Sequence, residues 1–327
     1  MILVTGGAGF IGSNIVAALC ARGDSVAVCD FLGQEGKWRN LAKAPLSDVI
    51  APQQLEGWLK RHRRELEAIV HMGAISSTAA TDADLLMKVN FRLSWLLWQW
   101  CARHGQQFVY ASSASTYGAG EQGCDDDASP EALARLRPLN LYGWSKHLFD
   151  QRVARAVAQG ESAPVQWAGL KFFNVYGPNE YHKGNMQSVV ARSHPAAAQG
   201  NEVGLFKSYR AEVADGEQKR DFVFVDDCVA VTLWLLDNPS VNGIFNVGSG
   251  EARSFIDLIR ALFAALELPV RVAWLDMPES LRAHYQYFTQ ARIDRLRAAG
   301  YTRAFKSIEE GVGDYVRRYL SRPDPYR

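Results

Sequence analysis

Met1-Ile2-Leu3-Val4-Thr5-Gly6-Gly7-Ala8-Gly9-Phe10-Ile11-Gly12 is an apolar run that breaks into glycines and then resumes. It predicts a buried strand turning sharply into a helix. Gly6, Gly9 and Gly12 permit a tight turn, close backbone approach to a pyrophosphate and close helix–strand packing, while free N–H groups at the helix start face the anion. The expected cradle for a dinucleotide is therefore Gly6, Gly9, Phe10, Ile11 and Gly12. An ordinary strand-to-helix turn would also use glycine, so the next strand matters. Ser25-Val26-Ala27-Val28-Cys29-Asp30 supplies it. Asp30 falls about 20 residues past the turn, where a carboxylate accepts both ribose hydroxyls of an adenosine. Taken alone, Asp30 favours NAD. Lys37 and Arg39 follow closely and could hold a 2′-phosphate, which favours NADP.

Outward from this unit, periodicity predicts helices over 13–22, 53–67 and 83–104 and strands over 45–50, 68–71, 107–111 and 165–173. Strands alternating with helices predict a doubly wound, Rossmann-like parallel α/β sheet. The strand at 68–71 runs into Met72-Gly73-Ala74-Ile75-Ser76-Ser77. Its small residues would let a cofactor pass close to Met72, Gly73 and Ala74, and Ser76 could reach a substrate phosphate; a simple Gly/Ser turn is the alternative. His71, at that strand end, is read as a packing or hydrogen-bonding residue. Within the helix over 83–104, Asn90 interrupts a core stripe of Leu85, Leu86, Val89, Leu93, Leu96, Leu97 and Trp100. It is read as fixing neighbouring backbone, with a half-exposed Asn as the alternative.

The strand at 107–111 emerges into Ser112-Ser113-Ala114-Ser115-Thr116-Tyr117-Gly118, at the strand end where open α/β sheets bind ligands. Downstream, Tyr142 and Lys146 lie four apart at the start of a helix running to about residue 159, so both project from one face. A free phenol, with a pKa of about 10, is a poor base at neutral pH, but a nearby ammonium and a positive nicotinamide favour phenolate. Tyr142 can then take a hydroxyl proton as hydride leaves carbon. Ser113 would bind the same substrate oxygen, and Lys146 the nicotinamide ribose. Tyr-x-x-x-Lys is frequent on helix surfaces by chance; its force comes from the glycine turn and serine cluster before it.

At 327 residues and 36.3 kDa the chain can bury a large core, and its formal charge of +1 gives no footprint for nucleic acid or an anionic membrane. Cys20, Cys29, Cys101, Cys124 and Cys228 are odd in number and widely spaced, as expected of a reduced, cytoplasmic protein. Met1 leads directly into the first strand, so no signal peptide is expected, and no apolar run reaches the ~18 residues needed to span a bilayer. The histidines offer no H-E-x-x-H, and no metal site is expected.

Together Thr5-Gly6-Gly7-Ala8-Gly9-Phe10-Ile11-Gly12, Ser112-Ser113-Ala114 and Tyr142-x-x-x-Lys146 resemble the nucleotide-sugar epimerases of the extended short-chain dehydrogenase/reductase family over nearly the whole chain. Ala114-Ser115 stands where its 4,6-dehydratases carry an Asp-Glu pair, so dehydration is set aside. Glu180-x-His182-Lys183-Gly184, Leu205-Phe206, Lys219-Arg220-Asp221-Phe222-Val223 and Tyr285-Gln286-x-Phe288-Thr289-Gln290 are similar to a narrower branch. That branch inverts C6 of the heptose in ADP-D-glycero-β-D-manno-heptose, giving a lipopolysaccharide inner-core precursor.

The resemblance implies NADP, a homo-oligomer and Lys183 as a second acid/base opposite Tyr142. From the residues alone, Lys183 would serve equally as a phosphate contact. It further implies cofactor contacts from Phe31, Asn90, Val175 and Lys146, and substrate contacts from Ser76, Ser113, Asn174, Lys183, Asn185, Arg192, Phe206, Arg220 and Tyr285. The NAD(P)-binding domain is expected over 1–173 with a return over 221–248. A smaller C-terminal α/β substrate lobe is expected over 174–220 and 249–327.

Departures from the pattern fall on Phe31, where members have Asn, on Pro52, where a Lys can stand, and on Asn185 and Arg192, which replace Ser and His. The segment over 207–218 is also longer than in some members. Two rival readings share the first half of the chain: a C4-epimerase or reductase of another nucleotide sugar, and a dinucleotide-sensing regulator without catalysis.

Overall fold

The computed structural model describes residues 1–282 and 285–327. Its centre is a seven-stranded parallel sheet built from β1 (Ile2–Thr5), β2 (Val26–Cys29), β3 (Asp48–Ile50), β4 (Ala68–His71), β5 (Gln107–Ser113), β6 (Gln166–Phe172) and a last strand, Gly243–Val247. From one edge the order is Gly243–Val247, β6, β5, β4, β1, β2, β3. Strand order reverses between β1 and β4, so their carboxyl ends open a crevice over the sheet.

Both faces of the sheet are covered, which is why its strands are continuously apolar. Ile2, Val4, Val26 and Val28 point to one face, against Ile15, Val16 and Leu19 of α1 (Phe10–Arg22). Leu3, Ala27, Ile69 and Phe108 point to the other, against Trp58 of α2 (Leu55–His62) and Phe149 of a later helix, Leu141–Ala158. The helix expected over 83–104 is present as α3 (Ala83–Leu86), a π-turn over Met87–Arg92 and α4 (Leu93–His104). After α5 (Pro130–Leu133), α6 (Leu141–Ala158) starts on Asn140, whose side chain accepts from Gly143 N–H at 2.8 Å.

The smaller lobe is assembled from segments that leave the sheet. β7 (Asn174–Tyr176) pairs with the later strand Lys219–Phe224; between them come α7 (Val189–Ala197) and β8 (Val203–Phe206). We label Lys219–Phe224 β9, and the elements after it α8 (Val225–Asp237), β10 (Gly243–Val247), β11 (Ala252–Ser254), α9 (Phe255–Ala265), β12 (Val272–Leu275), α10 (Glu279–Arg282), α11 (Asp294–Ala298) and α12 (Ile308–Tyr315). Phe222 and Phe224 pack with Val190, Ile259, Leu262, Val312 and Tyr315 in this lobe's core. Capping boxes at Ser254/Asp257 and Ser307/Glu310 start α9 and α12.

Within the return expected over 221–248, only the later part joins the large sheet. β9 lies in a separate three-stranded sheet with β7 and β11, and the chain re-enters the large sheet only at β10. The apolar alternation marks a strand but not which sheet receives it. Expected boundaries also contract: the helix over 53–67 forms only over Leu55–His62, and the strand over 45–50 only over Asp48–Ile50.

Candidate active site

The crevice over β1 and β4 is a cleft of about 590 Å³ whose walls bring together most of the expected site residues. Its floor is the first glycine turn. α1 starts on Gly9 with no side chain capping it and no acidic residue in its first turn, leaving its N-terminus open to an anion. A Cβ on Gly12 would stand 2.2 Å from Gly6 O, and one on Gly6 (φ +64°) 2.5 Å from Gly73 N. The turn thus tolerates no side chain on its packed faces. Gly12→Ala is expected to be purified without dinucleotide, measured by releasing cofactor on denaturation; full occupancy would show that the turn does not set the cradle.

Along the same wall lie Phe10, Ile11, Asp30, Phe31, Lys37, Met72, Gly73, Ala74 and Val175. Both Asp30 oxygens are engaged, one by Ala8 N–H at 2.9 Å and the other by the Lys37 ammonium at 2.6 Å. Phe31 is 58% exposed at the rim. Asn90 is elsewhere: fully buried in the π-turn, it bonds both Ile75 N–H (2.9 Å) and Ile75 O (3.0 Å) and donates to Ser145 Oγ at 2.9 Å. It holds the loop after β4 against α6 and does not line the cleft. His71 is buried as a hydrogen-bonding residue, 2.6 Å from Thr5 Oγ1 and 2.8 Å from Ser94 Oγ, and burial with the nearby Lys146 charge pushes its pKa down to about 3.

Ser113, Tyr142 and Lys146 meet on the opposite wall. Lys146 is buried and donates to Ala111 O at 2.8 Å, which ties α6 to the end of β5. Burial lowers its pKa to about 8, with Asp150 opposing. Burial raises the Tyr142 phenol, and hydrogen bonding to Ser113 works against it. The trio can take a proton from, and return it to, a substrate hydroxyl.

Lys183 reaches the same cleft from a short 3-10 turn over Tyr181–Met186, its ammonium 5.1 Å from the centre of the Phe10 ring. Burial lowers its pKa, with Glu180 opposing. What holds this turn was missed in the sequence. Glu180 is fully buried and accepts from Ser188 N–H (2.5 Å), Ser188 Oγ (2.7 Å) and Tyr315 OH (3.1 Å). Asn40 donates to Ala8 O (2.8 Å) and Asn179 O (3.1 Å), with His182 Nδ1 3.2 Å from the same nitrogen, bracing the Lys183 turn on the glycine turn. No local pattern marks either residue: Asn40's partners Asn179 and His182 lie 139 and 142 positions away, and Glu180's partner Tyr315 lies 135.

Ser76 lines the cleft as expected, but other expected substrate contacts do not. Arg192, Phe206 and Tyr285 line a second cleft of about 490 Å³ in the smaller lobe. Arg220 lies beneath it, its guanidinium 5.2 Å from the Tyr285 ring and 5.7 Å from Phe255. Asn174 and Asn185 are exposed and line neither cleft. Among the described residues, no group of three His, Cys, Asp or Glu side chains is placed to hold a metal ion.

The family model of the NAD dependent epimerase/dehydratase family matches residues 2–248. The chain belongs to this family. The ADP-L-glycero-D-manno-heptose-6-epimerase of Fusobacterium nucleatum is 47% identical over 335 residues, covering 100% of both chains. Among solved structures, the Helicobacter pylori enzyme of the same name superposes with a TM-score of 0.79 at 27% identity, covering 97% of this chain and 95% of that one. Thermus thermophilus UDP-glucose 4-epimerase, solved with NAD, gives 0.73 at 28%, covering 96% and 97%. As a member of the epimerase/dehydratase family the protein uses a nicotinamide dinucleotide, and the open helix start and glycine cradle fit that group.

Proposed function

We propose that this chain inverts C6 of the heptose of ADP-D-glycero-β-D-manno-heptose, giving the ADP-L-glycero-β-D-manno-heptose used as a lipopolysaccharide inner-core precursor. The observation that carries the reading is that Tyr142 and Lys183, two groups able to move protons, line one cleft with Ser113 and Lys146. The glycine turn would hold a dinucleotide, which when bound would supply the acceptor and donor of one hydride. Tyr142 takes the C6 hydroxyl proton while Ser113 holds the oxygen, and Lys146 supports the phenolate. Inversion requires the C6 ketone to present its other face, where Lys183 supplies the proton. Arg192, Phe206, Arg220 and Tyr285 hold the ADP end. Near-half identity along the whole length of heptose epimerases supports this substrate over a hexose.

NADP is the proposed cofactor. Lys37 offsets the Asp30 charge at 2.6 Å, and its ammonium would be the cation for a 2′-phosphate. Lys37→Ala should weaken NADP binding about tenfold or more while sparing NAD, by titration of cofactor-free protein; an unchanged NADP/NAD ratio would remove Lys37 from that role. All five cysteines are free, which suits a reducing cytoplasm. Among the described residues, no helix is long and apolar enough to cross a membrane. Copies of the chain are proposed to assemble, as sedimentation would test. Substrate choice is tested by assaying ADP-heptose beside UDP-glucose and UDP-galactose: turnover confined to ADP-heptose supports the reading, and turnover confined to a UDP-hexose supports a C4-epimerase.

A further inference from the structure

Beneath the catalytic wall lies a buried charge pair that itself gives or takes no proton in the steps above. Asp150 on α6 and Lys171 on β6 are 0% and 1% exposed, with Nζ 3.7 Å from Oδ2. Two ions taken this far from water require close partners, and each has them. Asp150 accepts from Tyr110 OH at 3.1 Å and Ser112 Oγ at 2.7 Å, two residues on one face of β5. Lys171 neighbours Ser112 in the β5–β6 register and donates to Thr116 Oγ1 at 2.9 Å. Thr116 in turn donates to Ser113 O at 2.8 Å, and the Lys171 ammonium sits 4.3 Å from the centre of the Tyr117 ring.

These bonds grip the end of β5 from both sides. Ser113 is the residue after Ser112 and also anchors the turn that Thr116 closes, with Ser115 N–H donating to its Oγ at 3.1 Å. Asp150 is one helical turn beyond Lys146, which itself holds Ala111 O. Three successive residues of β5, Ala111, Ser112 and Ser113, are therefore fixed by Lys146, Asp150 and, through Thr116, Lys171. We propose that Asp150 and Lys171 are positioning residues of the reaction: they lock the strand carrying Ser113 against the helix carrying Tyr142 and Lys146. A small slip between strand and helix would separate Ser113 from Tyr142 at the substrate oxygen.

The inference rests on the epimerase reading, and the test separates the two. Asp150→Asn leaves a buried ammonium unpaired and is expected to fold poorly, so the informative variants are Asp150→Asn/Lys171→Met, neutral throughout, Thr116→Val, which removes the hydroxyl that joins Lys171 to Ser113 O and keeps the Asp150–Lys171 pair, and Lys171→Arg, which keeps charge and donor. With ADP-heptose as substrate, the neutral double variant should retain cofactor and KM while kcat falls about 10²-fold, the scale of a misplacement near 1 Å. Thr116→Val should lose kcat in the same sense but less, and Lys171→Arg should keep most of it. A double variant or Thr116→Val with full kcat, or a loss carried by KM alone, overturns the proposal. Wild type without turnover indicts the substrate instead. The pair is then judged from a crystal structure of the double variant, in which Ser113 displaced from Tyr142 supports the proposal and Ser113 unmoved overturns it.

Discussion

Tyr142→Phe lowers epimerase turnover by about 10² to 10⁴-fold, the range in which a positioned general base contributes, and leaves the fold intact. The hydroxyl is the only atom removed. It faces the cleft, where Ser113 is its hydrogen-bonding neighbour, so the core of α6 behind Phe149 and Val153 keeps its packing. In the cofactor-free protein burial holds the phenol above its ordinary value. A positive nicotinamide together with the Lys146 ammonium would lower it, and Lys146, pushed to about 8, keeps that charge below pH 8 and loses it above. Wild-type activity should therefore fall toward acid as the phenolate is protonated and decline again as pH passes about 8. Initial rates with unchanged melting temperature check the variant; near-normal turnover would remove Tyr142 as the base.

Lys183→Met has the second largest expected effect, a loss of kcat of at least about 10²-fold with cofactor retained. Lys183 is displayed on a turn whose shape is set by others: Glu180 anchors it, Asn40 braces it, and Gly184 adopts a φ of +51° beside it. A methionine of similar length can lie over Phe10 without disturbing those bonds. Burial lowers the lysine pKa, which eases loss of the proton it supplies to the ketone oxygen, while Glu180 limits that drop. The split between constants decides its role. A fall in kcat marks the second acid/base; a rise in KM with kcat unchanged marks a binding residue only.

The sheet and the catalytic wall were legible because their signals are local. An apolar run ending in glycines, or Tyr142 and Lys146 one helical turn apart, depends on neighbours in sequence, and these sites assembled in one cleft. What stayed hidden depends on distant partners. From its residues Asn90 reads as fixing neighbouring backbone, but that this backbone is the loop at Ile75, outside the cleft where the resemblance put a cofactor contact, could not be seen. β9 carried a strand pattern that says nothing of its partners, and it joined β7 and β11. Glu180 and Asn40 could be seen in the sequence, but not that one anchors and the other braces the turn that brings Lys183 to the cleft. The second cleft, with Arg192, Phe206 and Tyr285, draws on residues 93 positions apart between Arg192 and Tyr285 and was reached only through family resemblance.

The most direct measurement is to incubate the purified protein, with no cofactor added, with ADP-D-glycero-β-D-manno-heptose in water and to follow the C6 proton by NMR. Conversion to an equilibrium mixture of the two C6 epimers is the predicted result, and it requires a dinucleotide that travels with the protein and is regenerated in each cycle. An unchanged C6 signal, persisting after NADP and then NAD are supplied, would contradict C6 epimerisation.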